Sequence, residues 1–491
     1  MLKLITLLKT NILSLGIIIL LLFIPLYPKF PLFNVQGTYV ALRLEDFLVA
    51  AIVGIWFIIQ WRKKFPILGE RVSRLILFYW AVGALALLSA LLITKNIVPH
   101  IALLHYLRRI EYMSLFFVAF ASVKKTKHVS RYFLAIFMAT LVVIIYGFGQ
   151  KYFSWPVVST MNEEFSKGML LQLTEWTRIN STFAGHYDLA AYIVLVISLT
   201  AVLIIWERKK WLKILIIFFG ILAFYLLVLT ASRISFVAYL LSISFILLFL
   251  RKGWFIPPVV ALSILAMFFS GDLGERFIVM VEPAMRNLRE IRIFKVEAPR
   301  EKIALKPTTT PTPSIKPVVI KEPVGEVEQE IVPTSKTATS PAEATPAAWP
   351  APEKAAVAAQ RSTDIRFKME WPRAMRAFLK NPILGTGYSS VTLATDNDYL
   401  RALAETGLLG FFAFAFIFLE IIRRVVIFLQ KRPFGFEKAV VIGITGGSFG
   451  FFANALFIDV FEASKLAFIF WILIGILVGT INLSEKSIQT S

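Results

Sequence analysis

A small set of polar residues in a strongly apolar chain has side chains able to do chemistry: Arg178, His186, Arg233, Arg366, Asp396, Asn397 and Glu405. Arginine is a permanent cation whose forked N–H groups match the oxygens of phosphates and carboxylates. Arg178, Arg233 and Arg366 are therefore candidates for holding an anionic group, or one on which negative charge develops during reaction. A carboxylate or an imidazole can orient a hydroxyl or take its proton, and Asp396, Glu405 and His186 are the groups available for that. The chain has no cysteine, which removes disulfides, thiol nucleophiles and thiolate metal sites, and its four histidines leave little capacity for a metal.

Each of these residues also has a plainer role open to it. Arg233 can be an interfacial arginine that snorkels to water, Arg178 a solvated loop charge, Arg366 a lipid headgroup contact and His186 an interfacial hydrogen-bonding residue. Asp396 or Asp398 can cap a helix that begins near Tyr399. Gly385 and Gly387 can simply form a turn rather than cradle a phosphate. Trp155 and Trp176, near helix ends, read as interfacial belt residues.

The elements that must position these groups are membrane helices. Of 491 residues, 57% are hydrophobic and 17% charged, and the mean hydropathy is +0.73, a composition that suits lipid better than water. Apolar runs long enough to cross roughly 30 Å of hydrocarbon lie near 12–27, 44–61, 75–93, 110–123, 132–152, 187–206, 214–229, 234–250, 255–269, 408–422, 439–457 and 466–481. The expected fold is an all-α integral membrane protein of about twelve transmembrane helices. The first run resembles a signal sequence but is read as a retained helix, because no small-residue cleavage site follows Pro25 to Pro31.

The net charge of +21 comes from short basic clusters between the runs, such as Arg62–Lys64, Lys124–Lys127 and Arg208–Lys210. That distribution argues for topology rather than nucleic-acid binding. It puts these clusters and both termini in the cytoplasm and leaves two segments outside, 153–185 and 270–406. The chain thus divides into 1–152 with helices one to five, 153–270 with an outer loop and helices six to nine, 271–407 as one large extracytoplasmic loop, and 408–491 with the last three helices. Within the large loop, residues of about 299–360 hold about half of the chain's 23 prolines and are expected to be disordered. After them, Ile365 to Leu379 sets apolar residues among basic ones at helical spacing, as in a helix lying on the membrane surface.

Four outward elements together resemble the O-antigen ligase and O-antigen polymerase superfamily. Arg178-Ile-Asn-Ser-Thr-Phe-Ala-Gly-His-Tyr-Asp-Leu-Ala-Ala-Tyr192 resembles its Arg…Gly-Thr-Phe…Asn-Leu-Ala segment, and Thr230-Ala-Ser-Arg233 its Ser-Arg helix start. Arg366-Phe-Lys-Met-Glu-Trp371 and Asn381-Pro-Ile-Leu-Gly-Thr-Gly387 resemble the elements that precede its His-Asn motif, which here reads Asp396-Asn-Asp-Tyr-Leu-Arg401. The resemblance spans roughly Arg178 to Ile422 without the insertion and implies a GT-C-like fold.

It further implies a glycosyltransferase of cell-envelope polysaccharide biosynthesis, without cofactor. Such an enzyme would move a glycan from a polyprenyl diphosphate carrier, such as undecaprenyl diphosphate, to a glycan, lipid or protein acceptor at the outer face of the cytoplasmic membrane. Asp396, Arg233 and Arg366 would be catalytic; Arg178, His186, Asn397 and Glu405 would bind substrate. Asp396 stands where the family has histidine, so it either orients the acceptor or deprotonates it. With arginines able to replace a divalent ion, transfer is expected to be metal-independent; Asp396-Asn-Asp398 is the nearest approach to a metal motif. A transporter and a noncatalytic envelope protein are the rival readings, and polymerase and ligase share these motifs.

Overall fold

The computed structural model describes residues 2–35, 41–95, 97–158, 170–171, 178–269, 365–391 and 395–489. The chain separates into two compact units, Met1–Ile278 with Ala358–Ser491, and Val279–Val357. Every element below belongs to the first. The second unit, and with it the expected disordered insertion, lies outside the described residues, as does Trp176.

Thirteen α-helices occur among the described residues. They are α1 Leu2–Leu26, α2 Leu44–Arg62, α3 Arg71–Ser89, α4 Pro99–Ser122, α5 Thr126–Tyr152, α6 His186–Trp206, α7 Lys210–Leu229 and α8 Arg233–Phe249, then α9 Ile256–Phe269, α10 Trp371–Lys380, α11 Asp398–Lys431, α12 Phe436–Asn454 and α13 Ser464–Gln489. Each apolar run falls largely within one of them, and α10 is the additional, amphipathic helix. Among the described residues, seven helical segments are long and apolar enough to cross a membrane, so the chain is an all-α, multi-pass membrane protein. Two boundaries move. Helix α4 starts well before Ile110, because Arg108 is paired with Asp46 at 3.0 Å inside the bundle and the helix continues through its charges. Helix α11 starts at Asp398 and breaks at Gly407, ahead of the apolar run that begins at Leu408.

Two antiparallel pairs of short strands, β1 Pro31–Asn34 with β2 Ala41–Arg43 and β3 Val157–Val158 with β4 Leu170–Leu171, lie between helices. Strands of two to four residues leave no readable periodicity in sequence.

Helices α6 and α13 form the buried centre, while α7 presents Ile214, Phe218 and Ile221 outward, as a lipid-facing helix would. Helix α12 packs against α6 and α8, α13 against α4, α11 against α3 and α1 against α5. Glycines permit the closest approach: a Cβ on Gly446 would stand 2.3 Å from Ile246 of α8, and one on Gly450 2.8 Å from Val194 of α6. Ser242 of α8 ties the same seam, donating to the Gly446 carbonyl at 2.7 Å and lying 2.6 Å from Ser198 of α6.

The bundle has two chemically distinct ends. At one, Thr126, Arg424, Lys438 and Asn482 bond to Glu437, Glu70, helix-end carbonyls and Glu70 respectively, beside the basic clusters. At the other meet the start of α6, the α7–α8 corner, the start of α11 and the α12–α13 loop. Ser235 donates to Asn454 at 2.8 Å and the Asp398 N–H to the Ala455 carbonyl at 3.0 Å across that end.

Candidate active site

The polar turn before α6 is pinned at three points. Gln150 of α5 both donates to the Ser181 carbonyl at 3.0 Å and accepts the Ser181 N–H at 2.7 Å. Thr182 donates to the Pro25 carbonyl at 2.6 Å, and Lys465 at the start of α13 donates to the Thr182 carbonyl at 2.7 Å. This rigid support presents Arg178 and His186 together: the Arg178 guanidinium contacts the His186 ring nitrogen and lies 5.9 Å from the centre of the Tyr187 ring. Arg233 is set by the neighbouring corner. Ala231 adopts a left-handed conformation with φ +51°, and the Ser232 hydroxyl caps α8 by accepting the Ser235 N–H at 3.4 Å, so Arg233 becomes the first helical residue.

Arg366 comes from a wide, π-type turn, Ile365–Glu370, that leads into α10. Its Nε donates to Asp396 Oδ2 at 2.7 Å, and Arg366 is buried. Tyr187 is the common neighbour, within hydrogen-bonding reach of both Arg178 and Arg366. Arg233 lies within electrostatic reach of Tyr187, Arg178 and Arg366. The three arginines expected from sequence, Asp396 and His186 are thus brought together, and Tyr187 at their centre is a residue that sequence reasoning did not single out. Burial pushes the Asp396 carboxyl above its usual range, against the pull of Arg366 and with added repulsion from Asp459. Burial alone would weaken protonation of Arg366, but Asp396 and Tyr187 together more than restore it.

Asp396 also has a left-handed backbone, φ +49°, and Asp459 of the α12–α13 loop holds it there. Asp459 Oδ2 accepts the Thr395 and Asp396 N–H groups at 2.8 and 3.2 Å, and Oδ1 the Asn397 N–H at 3.2 Å. Arg401 closes the arrangement by donating to Oδ2 at 3.0 Å. The positioning role of Asp459 has no local signal, because it reads from sequence only as a carboxylate at a helix end.

The helix beginning near Tyr399 is capped by Asn397, not by Asp396 or Asp398. The Asn397 side-chain oxygen accepts the Leu400 N–H at 2.9 Å, since only that residue has the extended cap conformation. Asp398 is buried and accepts the Phe461 N–H at 3.1 Å, so the two carboxylates of the Asp396-Asn-Asp398 string serve different neighbours. Asn397 also borders an apolar cavity of about 470 Å³ lined by Phe367, Trp371, Met375, Tyr399 and Leu456 among others. Gly385 and Gly387 form a turn, with φ +70° and +92°. The N–H groups of Thr386 and Gly387 are spent on the carbonyls of Ala404 and Glu405 at 2.8 and 3.0 Å, which leaves neither for a phosphate.

Glu405 belongs to a second, buried network. It pairs with Arg401 and with Arg109 of α4, each at 3.6 Å, and accepts the Ser389 N–H at 3.2 Å. Arg109 also pairs with Glu462. Arg401 connects this network to the Asp396 loop through Asp459.

Residues 218–415 match a protein-family model, Wzy_C, described as O-antigen ligase. The match supports the O-antigen ligase superfamily and a glycan-ligase-like role. It includes Arg233, Arg366, Asp396, Asn397 and Glu405 but ends before Asp459 and begins after Arg178 and His186. No curated protein matches the chain.

Proposed function

We propose, from an O-antigen ligase domain as premise, that this protein transfers or polymerises a polyprenyl diphosphate-linked oligosaccharide at the outer face of the cytoplasmic membrane. The observation that carries the reading is the gathering of Arg178, Arg233 and Arg366 around Tyr187, with Asp396 as the carboxylate partner of Arg366. Like charges within electrostatic reach of one another repel. A site built this way is suited to an anion of more than one charge, and a departing diphosphate is one.

In this reading the acceptor hydroxyl attacks the anomeric carbon of the donor sugar, the bond from that carbon to the diphosphate breaks, and the arginines take up the charge of the leaving group. Asp396 keeps Arg366 aimed at it. No metal is required, because permanent guanidinium charges do the work a divalent ion would do. Twelve membrane spans with both termini in the cytoplasm put the arginine end outside and the Lys/Arg clusters inside. Asn397 and Glu405 act by capping and buttressing the loop rather than by touching donor phosphates.

The test substitutes Arg233 and Arg366 separately with alanine and measures surface glycan chain length in producing cells. Loss or shortening of the glycan in either well-expressed variant is expected. Unchanged glycan in both sinks the enzyme reading and favours a noncatalytic envelope protein. Purified protein given lipid-linked oligosaccharide then separates the types: chain growth without another acceptor means a polymerase, and transfer only after a lipid or protein acceptor is added means a ligase.

A further inference from the structure

We propose that Glu370 is the base that takes the proton from the acceptor hydroxyl, a role resting on the transfer reaction proposed above. Asp396 stands where a base would be sought, but its Oδ2 is committed to Arg366 at 2.7 Å, and Arg366 is assigned to the leaving group. A carboxylate so placed belongs to the side of the site where negative charge departs. The nucleophile needs a second carboxylate with a lone pair to spare.

Glu370 supplies one. It ends the same π-type turn that carries Arg366 and is half-buried. Its Oε2 is shielded from solvent and has no hydrogen-bond partner among the described residues. A buried carboxylate oxygen left unsatisfied costs free energy, and a hydroxyl-bearing ligand would remove that cost. Two polar atoms on neighbouring residues are in the same condition, the indole N–H of Trp371 and the hydroxyl of Thr395, next to Asp396 in sequence. One acceptor and two groups that can donate suit a sugar rich in hydroxyls, and Phe367 and Trp371 of the same segment border the apolar cavity beside Asn397.

The charged groups within electrostatic reach of Glu370 are Asp396, Asp459, Arg366 and Arg373. Burial first, then repulsion from the two aspartates, outweighs the two arginines and pushes the Glu370 carboxyl up to about 7. A base poised near neutral pH is half in its active form there and has the proton affinity that general-base transfer requires. The step balances: the acceptor oxygen forms its bond to the anomeric carbon, that carbon releases the polyprenyl diphosphate with the bonding pair, and the hydroxyl proton passes to Glu370 and then to water.

The test uses full-length protein in proteoliposomes, with lipid-linked oligosaccharides and acceptor material extracted from the producing organism's membranes. Wild type, Glu370→Gln and Glu370→Asp are compared across pH 5.5–9. Wild-type turnover should rise with pH through an apparent pKa near 7. Glu370→Gln should lose on the order of 100-fold or more in turnover and lose that rise, with donor KM within about threefold of wild type, the split expected for a group acting in the transition state. Glu370→Asp should recover part of the rate and restore the rise.

Turnover of Glu370→Gln within about threefold of wild type overturns the assignment. So does a reduced rate that keeps the wild-type pH profile, which is what a merely structural role would give. Wild-type protein that transfers no glycan from its own organism's donors overturns the transfer reading itself, and the role of Glu370 with it.

Discussion

Asp459 pairs with Arg401 rather than with Arg178, Arg233 or Arg366, yet the proposed transfer should depend on it. Its carboxylate accepts four hydrogen bonds, three on Oδ2 from Thr395 N, Asp396 N and Arg401 Nη2, and one on Oδ1 from Asn397 N. In Asp459→Asn only one side-chain oxygen remains. Placed at the Oδ2 position it keeps three bonds but points an amide N–H at the Asn397 N–H. Placed the other way it keeps one. The better arrangement still loses an acceptor for a partly buried donor and the charge opposite Arg401, whose side chain is 3% exposed.

An unsatisfied buried donor costs about 1–3 kcal/mol and the exchange of a charge-assisted bond for a neutral one about 1 more, so the local cost is about 2–4 kcal/mol. If it is met by release of Asp396 from its left-handed conformation, Arg366 loses its fixed partner. Turnover then falls on the order of 30- to 1,000-fold, at about 1.4 kcal/mol per tenfold. The assay is glycan transfer in proteoliposomes, with thermal unfolding in detergent recorded alongside. Folded Asp459→Asn protein with wild-type turnover would refute the claim that this carboxylate sets the Asp396 loop.

Three further outcomes are expected. Arg233→Lys keeps the charge but not the fork, and should lower donor turnover on the order of tenfold or more; a rate equal to wild type would show that only charge is needed at the start of α8. Transfer should be unaffected by millimolar EDTA, and inhibition reversed by added Mg²⁺ or Mn²⁺ would contradict arginine-only charge stabilisation. Gly407→Ala places a Cβ 2.3 Å from the Ile383 carbonyl oxygen at φ +65° and ψ −169°, a backbone region essentially confined to glycine. The cost is about 1–3 kcal/mol or more, and a lowered thermal midpoint measured by tryptophan fluorescence would confirm it.

Much of the architecture was legible because it depends on local properties. An apolar run long enough to span hydrocarbon must close its own backbone hydrogen bonds, so it becomes a helix wherever it packs. The run at 187–206 therefore became α6 close to its expected bounds, and the run at 466–481 became α13, which continues to Gln489. The arginines were legible too, since Arg233 after Ser232 at a helix start, and Arg178 and Arg366 in polar segments between apolar ones, stand out against their surroundings.

What only tertiary structure decided is which charges meet. Asp459 lies 63 residues from Asp396 and looks in sequence like any carboxylate at a helix end; its bonds go to backbone N–H groups, which carry no residue identity to read. Glu370 and Tyr187 sat inside motifs already noted, without any sign that one would keep an unpartnered oxygen and the other would stand among three guanidinium groups. Glu405, four residues from Arg401 in the same motif, pairs both with it and with Arg109 of α4, inside the bundle. Periodicity and hydrophobic length are properties of a segment and survive in one dimension. Ion pairing at 3 Å depends on how segments far apart in the chain are laid side by side, and that is settled only when the helices pack.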